Sequence, residues 1–424
     1  MNRSLTTIWR TSIWILAVVL AASFGAAAQR IEIVHMRDPG HAGEWGEWVE
    51  AAARAFEALH PDVKVTILVS ASRGEQQDKI VAMHATNTLP DVIEVFPAGH
   101  YQFTQHGIFQ YLDPFMEKEQ DFGWDQFFPT ADLAAQIAED QEAVGAHWFL
   151  PISMWTTAYR FNEDLFEMAG LTVPSRLDHH WTFEEAVAID QKLTRINDEG
   201  IIEQFGVDIR SDHRSIVWFH NAGAWPVDRY VHPTESRLLD PGVRETLELL
   251  NTVWSYRLNL PQEPGAPWAA RLAGPDFTRN YLLAGESFAY SFGPNPKKVR
   301  GGSENVTVGV AMGAQTQHPE VAWEWMKFLA TEQARSRIEM TGRPVPWAPA
   351  AREYQTLLLD ASEWEYMWIE IMASPDSYER PVWSSDVQAI LTGLIRTVAR
   401  GEQAIGPALE SAHAQMQAIL AAGR

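Results

Sequence analysis

Phe56-Glu57-Ala58-Leu59-His60-Pro61-Asp62-Val63-Lys64-Val65 passes from helix to strand within ten residues, and this junction decides the fold class. Upstream of it, Trp45, Trp48, Val49, Ala52, Phe56 and Leu59 recur at helical spacing on one apolar face, and His60-Pro61 ends the helix. Downstream, Val63, Val65, Ile67 and Val69 alternate as a strand does. Ile31-Glu32-Ile33-Val34 forms a strand before the helix, with a loop from Met36 to Gly43 between them, and Val92 to Phe96 forms another after a further helical stretch. Strand, helix, strand, helix, strand is the opening of an α/β protein.

The pattern restarts near residue 150. A short helix from Leu165 to Ala169 ends at Gly170, Thr182 and Glu185 form a capping box, Phe205 to Ile209 reads as a strand, and Arg244 to Tyr256 as a helix. The last hundred or so residues are mostly helical. One helix follows Pro319, another runs from Thr331 to Gly342, and two amphipathic ones carry Val387, Ile390, Leu391, Leu394 and Val398, then Leu409, Ala412, Met416, Ile419 and Leu420. Proline and glycine cluster at 261 to 275 and 293 to 302, which read as surface connections.

Composition narrows the function. A chain of 424 residues exceeds one ordinary core, so two domains are expected. Its 55 acidic against 33 basic residues give a formal charge of −22, which disfavours nucleic acid and anionic lipid as partners. The absence of cysteine excludes disulfides, thiolate metal sites and cysteine nucleophiles. Residues 1–28 combine Arg3 and Arg10, an apolar run centred on Ile13 to Leu20, and Ala26-Ala27-Ala28, the pattern of a secretory signal peptide. Cleavage after Ala28 would release an acidic, exported protein; an uncleaved anchor is the competing reading, and a lipoprotein anchor is excluded because no cysteine follows.

Several segments in order resemble the extracellular solute-binding proteins of ABC sugar importers, the family that includes maltose-binding protein. They are the Phe56 to Val65 junction; Leu89-Pro90-Asp91-Val92; Leu150-Pro151; Tyr159-Arg160-Phe161-Asn162-Glu163-Asp164-Leu165-Phe166; Trp181-Thr182-Phe183-Glu184-Glu185; Leu283-Ala284-Gly285-Glu286 through Gly293-Pro294; His318-Pro319-Glu320-Val321-Ala322-Trp323; and Thr341-Gly342-Arg343-Pro344. Two features depart from the family: Arg160 stands where a tyrosine is usual, and the segment from Lys297 to Gln317 is short.

The resemblance implies an α/β, two-lobed periplasmic binding protein fold of type II, with a hinge and an interlobe ligand cleft. Lobe one would comprise 29–149 and 294–342, and lobe two 150–293 and 343–424. It also implies a periplasmic monomer without cofactor, metal or catalytic residues, which captures a carbohydrate and passes it to the permease subunits of the importer. Ligands of open α/β sheets sit beyond the carboxyl ends of strands. Sugars present hydroxyls and apolar C–H faces, so planar polar groups and aromatic platforms at those ends are the candidates. Arg37, Asp38, Glu44 and Trp45 follow the first strand, His100 and Tyr101 the third, and Trp155 the first crossing. In lobe two, Arg210, Trp218, Asn221 and Trp225 follow the Phe205 strand. Phe292 and Asn295 flank the second crossing, Arg343 and Trp347 the third, and Trp383 precedes the penultimate helix.

Each candidate has a plainer alternative. Trp45 lies on the stripe of Trp48 and fits core packing equally; Trp218 and Phe219 fit a half-buried helix face; Trp347 fits a wedge between prolines. Trp323, Trp325, Trp364 and Trp368 have the spacing of core residues. His179-His180 and Asp212-His213 are metal-ligand types without a third ligand at useful spacing. No Gly-x-Ser-x-Gly elbow, His-Glu-x-x-His pair or phosphate loop occurs. A secreted glycoside hydrolase and a receptor for a phosphorylated polyol are the alternatives.

Overall fold

The computed structural model describes residues 30–40, 43–138, 143–174, 181–275, 289–358 and 366–422. The signal-peptide expectation, His179-His180 and Trp364 lie outside them. No helix among the described residues is long and apolar enough to cross a membrane.

The first sheet grows from the opening motif. β1 (Ile31–Arg37) pairs in parallel with β2 (Val63–Val69), Ile31 opposite Val63, and with β3 (Val92–Val95), His35 opposite Val92. Helix α1 (Glu44–Leu59) crosses between the first two strands, with Glu44 and Glu47 at its positive end and Trp45, Trp48, Val49, Ala52 and Phe56 buried. Helix α2 (Arg73–Ala85) leads to β3, capped by the Ser72 hydroxyl. The sheet is completed by β4 (Leu150–Trp155) and β10 (Glu304–Met312), with β10 antiparallel to both β3 and β4. Gly309 sits at the irregularity in the β10–β4 ladder, where a Cβ would lie 2.2 Å from the Phe149 ring and 2.4 Å from the Leu150 carbonyl.

The second sheet runs β6 (Arg195–Ile196), β7 (Ile202–Val207), β8 (Trp268–Ala273), β5 (Ala158–Asn162), β9 (Tyr290–Gly293). β7 and β8 are parallel, and β5 is antiparallel to β8 and β9. Its core is built with α3 (Phe183–Leu193), α4 (Ile216–Asn221), α5 (Pro241–Arg257), α7 (Ser385–Ala399) and α8 (Ile405–Ala422), whereas α6 (Pro319–Ala330) packs on the first sheet. The capping box at Thr182 and Glu185 is present.

Three readings change. The 261–275 stretch is not only connection: it holds β8, whose small buried Ala269 and Ala270 give no strand-like alternation. The helix expected to start at Thr331 starts at Ala334, and Gly342 ends it in the left-handed region at φ 66°. Leu150–Trp155, expected to open the second lobe, is hydrogen-bonded into the first sheet through β10.

Strand directions set the geometry of the molecule. Thr156-Thr157 joins β4 to β5, and residues 294–303 join β9 to β10. The carboxyl ends of β1, β2, β3 and β4 therefore face the carboxyl ends of β7, β8 and β9 across these two links. A short strand, β11 (Tyr378–Glu379), adds to the amino end of β10 at the same place.

Candidate functional site

On the first sheet's rim the built feature is Asp38. Its carboxylate is buried and accepts from Arg73 Nε at 3.0 Å and from the Gly40 N–H at 2.6 Å, while its own N–H donates to Glu94 at 2.9 Å. The Arg73 guanidinium lies 4.9 Å above the Phe96 ring and stays half-exposed. A Cβ at Gly40 would fall 2.6 Å from Arg73 Nη2, so a larger residue there would displace the guanidinium.

The second sheet answers with a charge cluster after β7. Arg210 donates to Asp212 Oδ2 through Nε at 3.2 Å and Nη2 at 3.0 Å, and its Nη1 lies 3.7 Å from Asp208 Oδ2. Burial pushes the Asp208 carboxyl up, against the pull of Arg210. Burial also opposes ionisation of Asp212, yet the Arg214 N–H and the Arg210 guanidinium hold it below its ordinary value.

Between the rims, Trp155 ends β4 with its indole against Gly274, just beyond β8; a Cβ there would lie 2.6 Å from Nε1. Arg380 clasps Glu304 with two bonds of 3.1 and 2.9 Å. A cavity of about 160 Å³ lies beside that pair, walled by His213, Ile216, Trp383, Gln388 and Thr392. Burial pushes the His213 imidazole down, favouring its neutral form. A larger cavity of about 570 Å³, lined by Asn162, Gln262 and Trp268, lies at the other end of the second sheet and away from these rims.

The structure thus brings Asp38, Trp155, Arg210 and Trp383 to the facing edges and the hinge. Arg37 lies over the first turn of α1, its guanidinium against Gly46, and Glu44 is exposed at the start of that helix. Other candidates serve the scaffold. Trp45 is buried, donates to Glu94 at 3.0 Å and carries the Arg337 guanidinium 3.9 Å from its ring. His100 is buried against the Phe96 backbone, and burial pushes its imidazole down to about 4. Tyr101 accepts from the Ala138 N–H at 2.6 Å. Trp218 packs on Phe183 at 4.7 Å and Phe292 on Trp368 at 4.8 Å, all within cores.

Asn221 and Asn295 tie the links between sheets. Asn221 donates to the Pro296 and Gly302 carbonyls at 2.9 and 3.1 Å and accepts from the Gly302 N–H; Asn295 donates to the Thr157 carbonyl at 3.2 Å. Trp225 belongs to an aromatic cluster with Tyr230, Tyr378 and Trp383. Trp347 donates to Gln126 at 2.9 Å and is wedged between two cores, and the Arg343 N–H donates to the Thr341 hydroxyl. Trp323, Trp325 and Trp368 are core residues as their spacing indicates.

The candidates missed by sequence are Arg73, Asp208, Asp212, Glu304 and Arg380. Asp208-x-Arg210-x-Asp212 directly after a strand is a signal that was available, whereas Glu304 and Arg380 are joined only by tertiary pairing of β10 with β11.

These features define a two-lobed α/β fold. Residues 41–222 match the family described as bacterial extracellular solute-binding protein. A putative binding protein of Brucella abortus is 21% identical, with 95% of this chain and 96% of the relative covered. Among solved structures, the sugar-binding protein MalE of Xanthomonas citri superposes with a TM-score of 0.75 at 15% identity, covering 93% of this chain and 98% of that one. A cyclo/maltodextrin-binding protein complexed with maltotetraose gives 0.71 at 18% identity, covering 93% and 98%. The substrate-binding protein Lmo0181 of Listeria monocytogenes, in complex with cycloalternan, gives 0.70 at 17% identity, covering 92% and 99%. The resemblance read from the sequence and the expected fold class are borne out, and both the family and these neighbours are described as binding proteins.

Proposed function

We propose that this chain captures a neutral carbohydrate between its lobes in the periplasm and delivers it to the membrane permease of an ABC importer, without chemistry of its own. The lobe division belongs to this proposal, with crossings at 293/294 and 342/343 and the first one at Thr156-Thr157, where β4 of the first sheet gives way to β5 of the second. The observation that carries the reading is how charge is arranged at the facing edges. Arg73, Arg210 and Arg380 each already hold carboxylates, namely Asp38, Asp212 and Glu304, and the Arg380–Glu304 pair shares its cavity with the Trp383 indole. Guanidiniums neutralised in this way donate to hydroxyls and their carboxylates accept from them, which suits a neutral polyol. A phosphorylated ligand would want cations without such partners.

The match to a solute-binding family and the printed sugar complexes of its structural neighbours support the same class of ligand. The test is a thermal-shift panel of the processed chain against mono-, di- and oligosaccharides. A ligand at about 100 times its dissociation constant adds about 2.7 kcal/mol of stability. A shift with a phosphorylated polyol alone, or release of product from a bound saccharide, refutes the reading in favour of the corresponding alternative.

A further inference from the structure

A further cavity, of about 300 Å³, starts where the lobe-two rim of the cleft ends. Arg210 and Asp212 of the rim line it, and from there its walls follow β7 from Asp208 back to Ile202, six residue steps or about 20 Å at 3.3 Å per residue. Asp212 is followed by His213, which walls the hinge cavity, so consecutive residues of one loop face the two hollows.

Two charged side chains that line this cavity keep an unsatisfied atom. Asp208 and Arg257 are only 5% and 6% exposed. Asp208 Oδ2 has no hydrogen-bond partner among the described residues, and Arg210 Nη1 stays 3.7 Å away. Arg257 Nη2 donates to the Val207 carbonyl at 2.5 Å and sits 3.1 Å from Asp190, yet its Nε has no partner among the described residues. An acceptor and a donor buried without partners are costly, and a hydroxyl, which both donates and accepts, can serve either.

The cavity of about 570 Å³ at the far end of the sheet comes next. Phe205, Gln262 and Trp268 line both hollows, so the stacked rings of Phe205 and Trp268, 4.1 Å apart and within 10° of parallel, form the ridge between them. The parallel register of β7 and β8 sets this pair, Phe205 opposite Trp268. Trp268 is half-buried, and Asn162, Glu263 and Arg271 add polar lining to the larger hollow. Polar hollows on both sides of an aromatic ridge match the hydroxyls and C–H faces that alternate along a saccharide chain. Arg210 and Arg257 are already matched, by Asp212 and Asp190, which favours a neutral guest.

We propose that this edge of lobe two is an outer subsite: the ligand is an oligosaccharide whose chain leaves the cleft at Arg210, runs along β7 and packs a sugar ring against Trp268. The inference rests on the reading of the ligand as a carbohydrate and deepens it, from sugars in general to chains too long for the cleft alone. Short sugars occupy the cleft only, so affinity rises with chain length until the ridge is covered.

The test is calorimetric titration of the full processed chain with cello-, malto-, manno- and xylo-oligosaccharides, each from monosaccharide to hexasaccharide. In a series that binds, the hexasaccharide is expected to bind about tenfold more tightly than the disaccharide, and Trp268→Ala to cut that ratio to about twofold. Taking the ratio within one protein removes any general effect of the substitution on the cleft. Gln262→Ala, at an exposed position, is expected to lower the ratio by less and serves if the tryptophan variant fails to fold. Binding of monosaccharides alone, a ratio near one in the parent, or a raised ratio that neither variant lowers overturns the outer subsite and leaves the carbohydrate reading standing. Silence from every saccharide overturns both.

Discussion

Glu379 provides a test of the hinge that can be worked out in energy. It ends β11 against β10, and its carboxylate extends the ladder: the Thr307 N–H donates to Oε1 at 2.9 Å and the Thr307 hydroxyl to Oε2 at 2.6 Å. Burial pushes this carboxyl from its ordinary 4.5 up to about 8, outweighing the Thr307 bonds and the attraction of Arg380. The folded chain then keeps a proton that the unfolded chain releases. Its contribution to stability is complete below about pH 4.5 and is lost as the pH rises through about 8.

At about 1.36 kcal/mol for each pH unit of that interval the ceiling is about 5 kcal/mol. The residue as a whole is half-buried, so screening by water lowers the expectation to roughly 2–4 kcal/mol. Glu379→Gln preserves the shape: the amide oxygen accepts from the Thr307 N–H, and the amide N–H donates to a rotated Thr307 hydroxyl. The assay is urea unfolding of both proteins from pH 5 to 9.5. The variant should gain on the parent by roughly 2–4 kcal/mol between pH 5 and 8.5, then run parallel to it. His100 and His220, which burial pushes down to about 4, contribute a slope of opposite sign at lower pH that is common to both proteins and cancels. A difference that is flat with pH, or that falls, refutes the assignment of a buried, proton-holding carboxyl to the hinge.

Three further outcomes follow from the site. Trp155→Ala should weaken saccharide binding roughly threefold to tenfold, the worth of one lost stacking platform at about 0.5–1.5 kcal/mol, and calorimetric titration reads it. Arg210→Ala removes the donor held by Asp212 and should weaken binding about tenfold to a hundredfold, and it should also lower the unfolding midpoint because the buried Asp208 carboxylate loses its nearest cation. Asn221→Ala should leave two buried carbonyls and a buried N–H without their partner, costing about 3 kcal/mol in urea unfolding; a loss below about 1 kcal/mol would show that the 296–302 link does not depend on it.

The opening α/β unit could be read from residues because each element carries its own period and punctuation. Val63 to Val69 alternate, Trp45 to Phe56 recur at helical spacing, and His60-Pro61 separates them. β8 lacked such signals, whereas β10 carries the alternation Val306, Val308 and Val310. Ala269 and Ala270 pack where there is room only for small groups, and Gly309 interrupts β10 where Phe149 and the Leu150 carbonyl press on it. Position along the chain located the site only in part. Residues following a strand include both those paired with an opposite charge at the rim, such as Asp38 and Arg210, and those turned into the core, such as His100 and Trp218.

The aromatic candidates failed most often for one physical reason. A ring large enough to stack on a sugar is also the best filler for a core, so its position in sequence does not say which role it takes. The charged candidates are separated instead by their partners. Asp38 came with Arg73, and Arg210 with Asp208 and Asp212, because a carboxylate near a low-dielectric rim must be matched to remain ionised. Matching of this kind at the rim leaves arginine–carboxylate pairs that are nearly neutral as units. Such pairs can exchange hydrogen bonds with a hydroxylated guest without having to shed or acquire a net charge as the lobes close.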